Sequence, residues 1–177
     1  MIRSDQSSSQ ACNIDEDTGL LNCEAFLDCV EKEIERARRF GDCAAVCLLD
    51  VSDHGAPSAS YPLATERLIR RVAGVMSSCF RKIDILGRFD DTTLAVLLGR
   101  TTSMNAPVIC SRMQSGLQSR FRDDPSIRAT ISCHFLDLNG STSVANDGIG
   151  DMLGAFDLAR QQNDAHQLHS SPATATN

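Results

Sequence analysis

The chain has 177 residues, 42% hydrophobic and 23% charged, enough to bury one ordinary core without disulfides or metals. A net charge of −6 excludes a general binder of nucleic-acid polymers or anionic membranes, which need a basic surface. It leaves room for one small anion held by a local arginine cluster.

No apolar run reaches the ~20 residues that span a bilayer, and Met1 to Gln10 lacks the apolar core of a secretion signal. A cytoplasmic location is therefore expected. The eight cysteines form no Cys-x-x-Cys pair, and none lies near histidines at zinc spacing. Cys29, Cys47, Cys79, Cys110 and Cys133 fall within apolar patterns and read as reduced core thiols.

In chain order, Met1 to Cys12 reads as a polar, mobile tail. Asn22 can cap a helix whose stripe is Phe26, Val30, Ile34 and Ala37 and whose stop is Gly41. Ala44 to Asp50 reads as a buried strand ending in an acid, and Val51 to Pro62 as a loop. Leu68, Val72, Met76 and Cys79 stripe a second helix that ends near Phe80. Ile83 to Phe89 and Thr93 to Leu98 read as a β-hairpin around an acidic turn. Ile109, Met113, Leu117 and Phe121 stripe a third helix. Ile127 to Leu136 is another strand, Asp137 to Asp147 a polar loop, Ile149 to Gln162 a last helix, and Gln167 to Asn177 a second mobile tail. The order predicts an α/β (α+β) domain over residues 13 to 166, a central mixed sheet with helices packed on it.

Four segments carry a resemblance: Asp15-Glu16-Asp17-Thr18-Gly19-Leu20-Leu21-Asn22; Leu49-Asp50-Val51-Ser52; Asp84 followed by Arg88-Phe89-Asp90-Asp91-Thr92-Thr93-Leu94-Ala95-Val96-Leu97-Leu98; and Ala159-Arg160-Gln161-Gln162-Asn163. In this order the chain resembles the GGDEF (diguanylate cyclase-like) family over residues 13 to 166. In active members, two GTP-loaded domains meet and each 3′-hydroxyl attacks the other α-phosphate. Two metal ions neutralise the developing charge and need hard oxygen ligands.

The resemblance implies that the first metal aspartate survives as Asp50. The signature acids are replaced by Thr92 and Thr93, and the signature glycines by Asp90 and Asp91. The second acid of the strand end is Ser52, the phosphate-binding lysine falls at Gly55, and the guanine-reading asparagine falls near Ser58. The guanine-reading aspartate aligns with Glu66 if the loop is one residue shorter. A later lysine becomes Arg160, and the arginine after it falls at Asp164. The resemblance thus implies a non-catalytic member, with no cofactor and no bound Mg²⁺ expected.

Arg81-Lys82-Ile83-Asp84 matches the family's R-x-x-D product-binding inhibitory site, and Arg112 falls where that site's second arginine is expected. Arginine can bind phosphate or guanine O6 and N7 in a bidentate way, and Asp84 can accept from guanine N1–H and N2–H. Outside that frame, an arginine and an aspartate three apart are a solvated surface pair. Asp50 can equally end a strand as a capping acid, and His54 beside Asp50 and Asp53 belongs to a polar loop. His134 reads as structural, and His166 and His169 as solvated tail residues.

Three functions follow. The first is a receptor for cyclic di-GMP at Arg81, Asp84 and Arg112 that acts in signalling through a protein partner of unknown identity. The second is a ligand-independent interaction or dimerisation module. The third is a divergent cyclase.

Overall fold

Asn22 starts the first helix. Its backbone is extended and its side-chain oxygen accepts from the Ala25 N–H at 2.9 Å, satisfying a donor the helix leaves open. Glu24 sits in the first turn and Arg38 and Arg39 in the last, each complementing the helix dipole. Gly41, at φ 69°, closes the helix with its N–H on the Ala37 carbonyl. This helix, α1 (Cys23–Phe40), buries Phe26, Leu27, Val30, Ile34 and Ala37.

The computed structural model describes residues 13–53, 62–122, 129–138, 154, 157–158 and 166–169. After α1 come β1 (Ala44–Asp53), α2 (Pro62–Cys79), β2 (Ile85–Arg88), β3 (Thr93–Gly99), a 3-10 turn at Ser103–Asn105, α3 (Ala106–Phe121), β4 (Ala129–Leu138) and β5 (His166–His169). The strands form one sheet in the order β2-β3-β1-β4-β5, and every neighbouring pair is antiparallel.

Alternation splits β1 between two cores. Val46 and Leu48 pack with α1 on one face, whereas Cys47, Leu49 and Val51 pack with α2 and α3 on the other. Cys47, Cys110 and Cys133 lie in the second layer. Hydrogen bonding with Cys133 and burial push the Cys110 thiol up, so it stays protonated. All seven cysteines among the described residues are free.

Several boundaries differ from the sequence reading. β1 continues to Asp53 because β4 offers partners as far as Ala129. β4 continues to Leu138 because Ala44 and Ala45 pair with Leu138 and Asp137. The expected strand from Ile83 starts at Ile85, since Arg81 and Asp84 close a turn: the Arg81 N–H donates to Asp84 Oδ2 at 2.8 Å and the Asp84 N–H to the Arg81 carbonyl at 3.0 Å. α3 begins at Ala106, with a proline in its first turn.

Gln167 to His169, expected to open a mobile tail, are instead strand residues together with His166. These residues form β5 on the edge of the sheet, where backbone pairing with Thr130 to Cys133 outweighs their polar composition. Of the last predicted helix, residues 154, 157 and 158 are described, and they are helical. Arg160, Asp164, Gly55, Ser58, His54 and the N-terminal tail lie outside the described residues. Among those described, no helix is long and apolar enough to cross a membrane.

Candidate functional site

The segment before α1 folds back on itself. The Asp15 carboxylate accepts from the Thr18 N–H at 2.9 Å and the Thr18 hydroxyl at 2.7 Å, and Gly19 takes the left-handed φ of 70° that the turn needs. The Leu21 N–H donates to the Leu86 carbonyl, and the Arg88 N–H to the Leu21 carbonyl. This pins the segment against β2. Arg88 Nη1 then reaches Asp15 at 3.2 Å and Asp17 at 3.3 Å. Burial alone would raise the Asp15 carboxyl. The Thr18 hydrogen bonds and the Arg88 charge outweigh it and hold the group below the ordinary aspartate range.

A cleft of about 690 Å³ opens between this segment, the start of α2 and the β2–β3 turn. Five carboxylates line it: Asp15, Asp17, Glu66, Asp90 and Asp91. Arg88, its only lining cation among the described residues, is committed to Asp15 and Asp17. Nearby Arg70 bridges Asp17 and Glu66, so Glu66 is engaged in an ion pair rather than held open. Cys23 also lines the cleft; burial and the Asp90 charge push its thiol up.

Asp90 orders the turn. Its carboxylate accepts from the Thr92 N–H at 2.9 Å and the Thr92 hydroxyl at 3.3 Å. Neither Asp90 nor Asp91 has a positive φ, so the turn stands without glycine. Asp50 lies directly opposite Thr93 in the β1–β3 register. The Thr93 hydroxyl, itself buried, donates to Asp50 Oδ1 at 2.8 Å, and His134 Nε2 lies 3.2 Å from Asp50 Oδ2. His134 Nδ1 is buried without a partner among the described residues. Among the described residues, no group of three or more His, Cys, Asp or Glu is placed to hold a metal ion. Asp50 is thus engaged by protein groups at both oxygens.

Elsewhere, Arg81, Asp84 and Arg112 line one cleft of about 260 Å³, together with Arg100, Thr101 and Asn105. The turn after α2 supplies Arg81 and Asp84, and α3 supplies Arg112. The Arg112 guanidinium stacks over Phe80, 5.3 Å from the ring centre, which fixes its plane. Its Nε is buried and has no partner among the described residues. None of Arg81, Arg100 and Arg112 forms an ion pair with another described residue. The remaining expected site residues, Thr92 and Thr93, are bound up in the turn and in Asp50.

The family model for the diguanylate cyclase GGDEF domain matches residues 12–162. The chain belongs to the GGDEF-domain family. The GGDEF domain of FimX from Pseudomonas aeruginosa is similar at 24% identity and a TM-score of 0.66, over 85% of this chain and 95% of that one. The GGDEF domain of DgcB from Caulobacter crescentus, solved in complex with c-di-GMP, gives 21% and 0.67 over 91% and 89%. The diguanylate cyclase SiaD from P. aeruginosa, solved with its activator SiaC, gives 19% and 0.62 over 86% and 60%. At these identities the likeness carries the fold alone. No curated protein matches the chain.

Two features of this GGDEF domain escaped the sequence reading. His134 was read as structural, yet it faces Asp50 across the β1–β4 pairing. Arg100 matches no motif; its one signal is a charged residue directly after the strand-ending Gly99.

Proposed function

We propose that this GGDEF domain is a non-catalytic receptor for cyclic di-GMP that passes ligand binding to a protein partner. The observation that carries the reading is the gathering of Arg81, Asp84 and Arg112 in one cleft, with guanidinium groups that pair with no carboxylate among the described residues. Such groups can donate charge-assisted hydrogen bonds to phosphate and guanine at little loss of existing contacts. Asp84 Oδ2 accepts from the Arg81 N–H, and among the described residues no side chain competes with guanine for the other oxygen.

The acid-lined cleft supports the same reading from the other side. A triphosphate there would meet five carboxylates, and Asp50 is engaged by Thr93 and His134. Losing charged groups aimed at a transition state costs ~3–4 kcal/mol each, so several losses remove useful turnover. A route to a partner is at hand. Ile83 and Val108 are both 69% exposed and Met104 86%, and Val108 itself lines the arginine cleft. Apolar surface beside a ligand site can register its occupancy.

The test is a pair of titrations, with cyclic di-GMP and separately with GTP and Mg²⁺. The reading expects the first to bind and the second to give no cyclic product. Steady product formation, abolished by Asp50→Ala, would overturn it in favour of an enzyme. Binding of neither nucleotide would leave an interaction module that works without a ligand.

A further inference from the structure

Arg100 directly follows the last residue of β3 and has a φ of 53°. Among the described residues it is the one non-glycine with positive φ. In that conformation Cβ crowds the following carbonyl, so the position normally falls to glycine, asparagine or aspartate. Such an outlier persists where the surroundings hold it, and it is often tied to a site. Here the surroundings are firm. The next turn is tied to β4, since the Ser103 N–H and hydroxyl both donate to the Asp137 carboxylate, and the Thr101 hydroxyl donates to the Gly99 carbonyl.

The left-handed residue is an arginine that lines the cleft holding Arg81, Asp84 and Arg112. Three arginines from three separate stretches of chain therefore line a cleft of about 260 Å³ together with Asp84. The other cleft offers a contrast: Arg88 and Arg70 are fully engaged there by Asp15, Asp17 and Glu66. Unpaired like charges repel each other, and a bound polyanion relieves the repulsion.

We infer that Arg100 is a third ligand arginine of this cleft and takes one of the ligand's phosphates. The choice of ligand rests on the reading proposed above; the juxtaposition of the three arginines does not. Three positive charges against Asp84 leave an excess of two, which matches the two phosphodiester charges of a cyclic dinucleotide. With Arg112 fixed over Phe80 and Arg81 in the turn that holds Asp84, both serving one phosphate and its guanine, Arg100 serves the second phosphate. Asn105, whose side chain makes no capping bond to α3, adds a neutral hydrogen-bonding group to the same cleft.

The experiment is calorimetry of the full chain with cyclic di-GMP, comparing the parent with Arg100→Gly and Arg100→Lys. Glycine suits the left-handed backbone, so Arg100→Gly should unfold in urea at the same or a higher midpoint. It should nonetheless bind at least about tenfold more weakly, the usual loss for a charge-assisted hydrogen bond. Arg100→Lys should recover only part of the affinity, because lysine keeps the charge and loses the fork. Equal binding by the parent and Arg100→Gly would overturn the role of Arg100 while leaving the receptor reading intact. If the parent does not bind the dinucleotide, inorganic pyrophosphate is titrated while the arginine Nε–Hε resonances are followed. Joint shifts at Arg81, Arg100 and Arg112 would keep the three-arginine anion site and discard the dinucleotide. No shift at Arg100 would overturn the inference.

Discussion

Thr93, which the family resemblance aligns with a signature acid, does something an ionised acid could not. A carboxylate facing Asp50 would repel it, whereas the buried hydroxyl donates to Asp50 Oδ1 at 2.8 Å. Thr93→Val keeps the shape and removes the donor. It should destabilise the domain by ~1–2 kcal/mol in urea unfolding, because Asp50 loses a hydrogen bond in a partly buried setting. An unchanged midpoint would mean that water replaces the hydroxyl at no cost. How much of this was legible depends on distance along the chain. Asp50 and Thr93 could be brought together from the sequence because both lie at motif positions on strands expected to share a sheet. His134 could not, because its approach to Asp50 depends on the β1–β4 register, which pairs His134 with Leu48, two residues from Asp50. Arg112 was legible only through the family resemblance. Arg100 was not legible at all, since a left-handed backbone leaves no pattern in neighbouring residue types.

At the scale of elements, α1 meets the sheet through a close contact. A Cβ added at Gly87 in β2 would lie 2.7–2.8 Å from Phe26 side-chain atoms, and Phe26 is fully buried. The contact holds α1, the preceding Asp15 turn and β2 in one arrangement, and so shapes the acidic cleft. Gly87→Ala should cost ~1–3 kcal/mol, the usual range for overpacking a filled core. Thermal unfolding of the purified variant checks it, and an unshifted Tm would show that Phe26 can move aside freely. The helices and the central strands were legible because their apolar periods are local. The strand ends were not: β1 and β4 each run past their predicted limits because each supplies the other's partners. β5 was missed for the same reason. Its His-Gln-Leu-His sequence has little strand character, and the open edge of β4 supplies the pairing.

At the scale of the whole molecule, the two clefts described differ in character. One is lined by carboxylates whose neighbouring arginines are already paired, and the other by arginines that form no ion pair with another described residue. A chain with a net charge of −6 repels anions at long range, so an anionic ligand must be captured by short-range, directed contacts. Arginine forks in a cleft supply them. The proposed function therefore assigns the ligand to the arginine cleft and not to the acidic one. Calorimetry with cyclic di-GMP on the parent chain, Arg81→Ala and Asp50→Ala tests it most directly. The account predicts binding by the parent, a loss of about 30-fold (~2 kcal/mol) or more in Arg81→Ala, and parental affinity in Asp50→Ala. Binding that survives Arg81→Ala but is lost in Asp50→Ala would place the ligand in the acidic cleft and contradict it.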